Sequence, residues 1–251
     1  MSITIGAHTV LPAYRESVEL RTADGLALAG ALALPPEGRP RVGTVIAVHP
    51  LPTHGGSADS HLLRKASWRL PALADIGVLR FNTRGTASAV GTSHGAFDGG
   101  VGEGHDLAAA AAFAARRGLA NPWLVGWSFG ADLAVRYGPG LNIAGAILLS
   151  PPLRYVTEEH LAAWETRGRR LIALIPGLDE LCPPDVATRR FASAPLAEVI
   201  VVPGVKHLWI GEPAVRIALD AIADAVHPGA APLPTQWDGP YATHPSTERF
   251  T

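Results

Sequence analysis

The chain has 251 residues, a formal net charge of -1 and 17% charged residues, which gives length for a full hydrophobic core and no charge excess suited to a polyanion. Its one cysteine, Cys182, excludes an internal disulfide and a thiolate metal cluster. No apolar run reaches the ~18 residues of a membrane span, and residues 1–14 lack the charged start and apolar centre of a leader, so a cytoplasmic protein without membrane or nucleic-acid partners is expected.

In chain order, residues 18–21 and 26–34 flank the turn Ala23-Asp24-Gly25 and read as an antiparallel hairpin at a sheet edge. Residues 42–48 form a continuous β-branched run, the pattern of a strand buried on both faces. Leu62, Leu63, Ala66, Leu70 and Leu73 give residues 58–74 a helical period, with Ser57 or Asp59 as the expected cap. Strand character returns at 78–81, a helix is predicted over 103–117, and strands over 123–127, 143–149, 171–175 and 198–202. Short helices are predicted over 128–137 and around 158–166, and a last one over 213–226. Two antiparallel strands followed by alternating strands and helices imply an α/β fold, with a mostly parallel central sheet, an antiparallel N-terminal edge and helices on both faces. No linker interrupts it, so residues 1–226 read as a single domain. The Pro-rich tail, 227–251, is expected to be disordered or packed as coil.

Ligands of such sheets bind beyond the carboxyl ends of the strands, so residues placed there carry the functional reading. Val125-Gly126-Trp127-Ser128-Phe129-Gly130 sets a serine between two glycines where a strand meets a helix, the setting of a nucleophile on a strained turn. Asp179 follows the strand at 171–175 and His207 the strand at 198–202. A serine hydroxyl needs a base within hydrogen-bond reach and a group that orients that base, and the order Ser128, Asp179, His207 supplies both. An oxyanion needs backbone N–H donors. Phe129, after the nucleophile, is one; Leu51 is the other, because Pro50 and Pro52 on either side have no N–H.

These pieces resemble the α/β-hydrolase superfamily over residues 18–226. The resemblance is to its uncapped, dienelactone-hydrolase-like bacterial members, whose loop begins His-Pro and contains Gly-Gly. It rests on His49-Pro50-Leu51-Pro52 with Gly55-Gly56, Leu79-Arg80-Phe81-Asn82-Thr83-Arg84-Gly85, Gly126-Trp127-Ser128-Phe129-Gly130, Gly177-Leu178-Asp179-Glu180-Leu181-Cys182-Pro183-Pro184 and Pro203-Gly204-Val205-Lys206-His207. It implies Ser128 as nucleophile, Asp179 as orienting acid and His207 as general base. Two departures stand out: the oxyanion loop has His-Pro where His-Gly is common, and the nucleophile is serine where a dienelactone hydrolase proper has cysteine, so that activity is not implied.

Residues 150–170 leave no room for a cap domain. An open pocket is expected, with His49, Trp127, Leu153 and Trp209 as candidate substrate contacts beside Leu51 and Phe129. His49, His54 and His61 match no zinc spacing and read as packing or loop groups. The glycines from Gly99 to Gly104 lack the ending of a phosphate loop and read as a flexible stretch or a helix start. The expected activity is a carboxylesterase-like serine hydrolysis of an ester, thioester or amide of a small acyl substrate, without cofactor or metal. An acyltransferase using the same residues and a non-catalytic binding module on this fold stand as alternatives. Monomer and homodimer are not separable from the sequence.

Overall fold

A computed structural model describes residues 2–239. Its elements in chain order are β1 (Ile3–Thr4), β2 (Tyr14–Arg21), β3 (Ala27–Leu34), β4 (Gly43–Val48), α1 (His61–Leu73), β5 (Ile76–Phe81), β6 (Ala87–Ser88), β7 (Gly91–Thr92) and α2 (Glu103–Arg116). There follow β8 (Pro122–Trp127), α3 (Phe129–Tyr137), β9 (Gly145–Leu149), α4 (Glu158–Arg167), β10 (Arg170–Pro176), α5 (Pro184–Arg190), β11 (Glu198–Val202), α6 (Glu212–Val226) and β12 (Gln236–Trp237).

Eight strands form the central sheet in the order β11-β10-β9-β8-β4-β5-β3-β2. The strands from β11 to β5 are parallel, and β3 and β2 close the edge antiparallel. Nothing beyond the short α4 is inserted between β9 and β10, so there is no cap domain.

Successive side chains of a strand point to opposite faces, so each interior strand feeds two cores. Val45, Ala47, Trp123, Val125 and Trp127 pack with α1 and α6 on one side. Ile46, Val48, Leu124, Ala146 and Leu148 pack with α2, α3 and α4 on the other. Double-sided burial is why these strands read as unbroken apolar runs. The expected caps of α1 differ in the structure: Ser60 occupies the N-cap, and its Oγ accepts from the Ser57 N–H rather than from an N–H of the helix. The Asp59 carboxylate instead accepts from Arg80, a buried guanidinium on β5, and from the Val90 N–H. A buried charge has the stronger demand on a carboxylate than an exposed helix end has.

After α6, residues 228–239 cross the body without a helix. Leu233 is buried there, its N–H donates to Asp220 Oδ1 at 2.8 Å, and β12 pairs with β1. The rest of the tail, 240–251, lies outside the described residues.

Candidate active site

Ser128 occupies the turn between β8 and α3 with φ 54° and ψ -120°, a strained conformation for a residue with a Cβ. Its N–H donates to Leu149 O at 2.8 Å, which ties the apex to β9. The turn closes only because its neighbours are glycines. A Cβ on Gly130 would lie 2.2 Å from Val48 O, and one on Gly126 would lie 2.3 Å from Gly130 O.

The loops after β10 and β11 are sewn together by Gly177 N–H to Val202 O at 2.7 Å and Leu178 N–H to Val205 O at 2.9 Å. This brings Asp179 against His207. Asp179 Oδ2 is 2.8 Å from His207 Nδ1, and His207 Nε2 is 2.9 Å from Ser128 Oγ. Asp179 Oδ1 accepts from the N–H groups of Leu181 at 2.9 Å and Cys182 at 3.3 Å, so both oxygens of the carboxylate are held. A carboxylate on the Nδ1 side places the ring proton there and leaves Nε2 to accept from the serine hydroxyl. The nearby acids Glu180 and Asp185 are exposed, and Asp185 pairs with Arg189.

The His207 backbone is held as firmly as its ring. Its carbonyl accepts from Ser150 Oγ at 2.9 Å and Trp127 Nε1 at 3.2 Å, and Ser150 Oγ accepts in turn from Trp209 Nε1 at 2.8 Å. One residue on, Leu208 O accepts from His61 Nε2 at 2.8 Å.

On the other side of Ser128, His49 fixes the loop after β4. The Thr83 N–H donates to His49 Nε2 at 3.0 Å, so the ring proton sits on Nδ1, which donates to Pro50 O at 2.6 Å. Burial pushes the His49 pKa down to about 4 and keeps the ring neutral. In a trans peptide the N–H points opposite to the C=O, so anchoring Pro50 O turns the Leu51 N–H away from His49. Leu51 O accepts from His54 N–H at 3.1 Å and Gly56 N–H at 3.0 Å, which holds the next peptide. Gly56 is required: a Cβ there would lie 2.1 Å from Pro50 O. Phe129 is the first residue of α3, where an N–H has no partner inside the helix. Leu51 and Phe129 both border the cavity that contains Ser128.

No family model and no curated protein matches the sequence. Solved structures do. An α/β serine hydrolase without a lid from Xanthomonas campestris is 26% identical, covering 86% of this chain and 94% of its own, with a TM-score of 0.65. An α/β serine hydrolase homologue from Coxiella burnetii is 24% identical, covering 84% and 95%, with a TM-score of 0.66. An esterase of Pyrococcus furiosus is 19% identical, covering 87% and 97%, with a TM-score of 0.69.

The chain is an α/β-hydrolase by fold. The cavity measures about 360 Å³ and is walled mainly by Pro50, Leu51, Phe129, Pro152, Tyr155 and Leu208 around Ser128 and His207. Four residues expected at the wall stand elsewhere. Trp127 continues the β8 alternation into the α1 and α6 core, and Trp209 and Leu153 are likewise buried. His49 lies behind its loop, wholly buried. Periodicity says that a residue near a strand end is apolar; it does not say which way a residue turns beyond it, and Leu153 (φ 52°) and Trp209 (φ 51°) both turn through left-handed backbone. The wall residues missed by sequence reasoning, Pro152, Arg154, Tyr155, Leu181 and Leu208, each lie within two positions of a residue it named.

Cys182 is buried, and its thiol is pushed up to about 11 by burial and by the Asp179 charge, which leaves it unreactive. Glu103, the first residue of α2, holds the glycine-containing loop before the helix, accepting from Asp98 N–H and Gly100 N–H at 2.8 Å each. No helix among the described residues is long and apolar enough to cross a membrane.

Proposed function

We propose that this α/β-hydrolase is a serine hydrolase that cleaves a carboxylic ester, thioester or amide of a small acyl substrate through an acyl-enzyme. The observation that carries the reading is the continuous chain Asp179 Oδ2, His207, Ser128 Oγ, with 2.8 and 2.9 Å links. In the first step Ser128 Oγ bonds to the carbonyl carbon as its proton passes to His207 Nε2. The carbonyl π electrons move onto oxygen, and the N–H groups of Phe129 and Leu51 hold the resulting oxyanion, each contributing on the order of 3 kcal/mol to the barrier reduction. Collapse re-forms the C=O bond and expels the leaving group, which takes the proton from His207. Water then gives a proton to His207 and its oxygen to the acyl carbon, and Ser128 leaves as the alcohol when that proton returns. The apolar, uncapped cavity supports a small acyl group with the scissile bond open to water.

Incubation with a fluorophosphonate tests the reading. One label per chain, lost in Ser128→Ala and His207→Ala, is expected; absence of label on folded protein would remove the proposal. Hydrolysis and acyl transfer separate on the product formed when an alcohol or amine acceptor competes with water.

A further inference from the structure

Asp132 lies one helical turn after Ser128 on α3 and is fully buried. Its carboxylate accepts three backbone N–H groups of the loop after β9: Leu153 at 2.9 Å on Oδ1, and Arg154 at 2.8 Å and Tyr155 at 3.0 Å on Oδ2. Arg190 on α5 holds the same loop by donating to Val156 O at 2.6 Å. The nucleophile helix therefore fixes this segment in place, including the left-handed Leu153 (φ 52°). Tyr155 is set against Phe129 with ring centroids 5.6 Å apart.

Arg154 is the residue this arrangement presents. It borders the cavity and is exposed, and its guanidinium makes no hydrogen bond or ion pair among the described residues. The Asp132 carboxylate accepts the Arg154 backbone N–H and not its guanidinium. No aspartate or glutamate lines the cavity, whose other polar side chains are Ser128, His207, His54 and Tyr155. A guanidinium is a permanent charge with a planar fork of donors, suited to two oxygens of one carboxylate. Held at the mouth of an apolar pocket, it meets its partner only when substrate arrives.

Resting on the serine hydrolase reading, we propose that Arg154 is a carboxylate-binding subsite, and that substrates carry a carboxylate apart from the scissile carbonyl, as the half-esters of dicarboxylic acids do. Asp132 acts through it as a positioning residue.

The test compares a half-ester with the uncharged methyl-terminated ester of equal length, in one arm with the carboxylate on the acyl part and in the other on the alcohol part. The expected kcat/KM ratio favours the charged ester by about tenfold in one arm, the scale of one charge-assisted hydrogen bond. Arg154→Ala abolishes the preference, Arg154→Glu reverses it, and Arg154→Lys keeps a part that salt weakens. Asp132→Asn lowers the ratio although Arg154 is still present. Binding of monomethyl glutarate against dimethyl glutarate to Ser128→Ala, read by calorimetry, decides the subsite even where the wild type turns nothing over. A failure of the hydrolase reading is thereby distinguishable from a failure of this one. Equal ratios in the wild type and Arg154→Ala in both arms, with equal binding of the two glutarates, would overturn the proposal.

Discussion

Asp179 accepts a 2.8 Å hydrogen bond from His207 Nδ1 while its side chain is 1% exposed, against 14% for the histidine. A carboxylate so enclosed sets the tautomer of the ring it holds. Asp179→Asn presents an amide that satisfies either tautomer of the ring, and kcat is expected to fall by about 10³ to 10⁴ with KM little changed. A loss below tenfold in steady-state assays would show that another group orients His207.

Ser150 links the His207 carbonyl to Trp209. Ser150→Ala leaves the Trp209 indole N–H buried without that partner and removes one of two donors to His207 O, a cost of about 1–3 kcal/mol. We expect a lower melting temperature together with a kcat reduced about tenfold, measured by calorimetry and ester turnover. Loss of stability with full kcat would assign Ser150 to packing alone.

The glycines of the elbow give a steric prediction. Gly130→Ala forces a Cβ to within 2.2 Å of Val48 O, and the contact is with backbone, which has no rotamer to yield. Destabilisation of about 1–3 kcal/mol is expected, with fluorophosphonate labelling slowed because Ser128 is displaced. A variant that melts and labels like the wild type would contradict the geometry of the turn.

Two buried groups bias stability in opposite directions with pH. His49 titrates near 4 in the folded protein, mainly through burial, against 6.5 unperturbed, so its contribution is present above pH 6.5 and is lost as pH falls through 4. Asp132, raised to about 6 from 3.8 by burial against the pull of its three N–H donors, contributes below pH 3.8 and loses that contribution as pH rises through 6. Each shift corresponds to about 3 kcal/mol. The two slopes largely offset each other in the wild type and are exposed singly in variants. Between pH 4 and 6, stability relative to wild type should fall with rising pH in His49→Gln and rise with it in Asp132→Asn, read from urea midpoints. Parallel profiles for all three proteins would refute both assignments.

Much of the fold was legible because burial on both faces of a parallel sheet leaves long apolar runs, as in β4 and β8, that contrast with the loops around them. The short α5 and the pairs β1 with β12 and β6 with β7 were not legible: two-residue strands have no period, and their partners lie far apart in sequence or in turns. At the site, Ser128, Asp179 and His207 could be named because each follows a strand at the same sheet edge. Asp132 could not, since an aspartate in the first turn of a helix reads as a charge favoured by the dipole, and only the returning loop shows where its oxygens go.

Sequence alone was sufficient for the order of the central-sheet strands and of the helices other than α5, the Gly126 to Gly130 elbow and the three residues after β8, β10 and β11, because these depend on local sterics and on a period of burial carried within short windows. Tertiary structure decided which way the residues beyond those strands face. It turned Trp127, Leu153 and Trp209 inward, made His49 the anchor of Pro50, and left Arg154 at the mouth. Those directions follow from hydrogen bonds between segments up to about 80 residues apart, such as Trp127 to His207, and no local pattern encodes a partner at that distance.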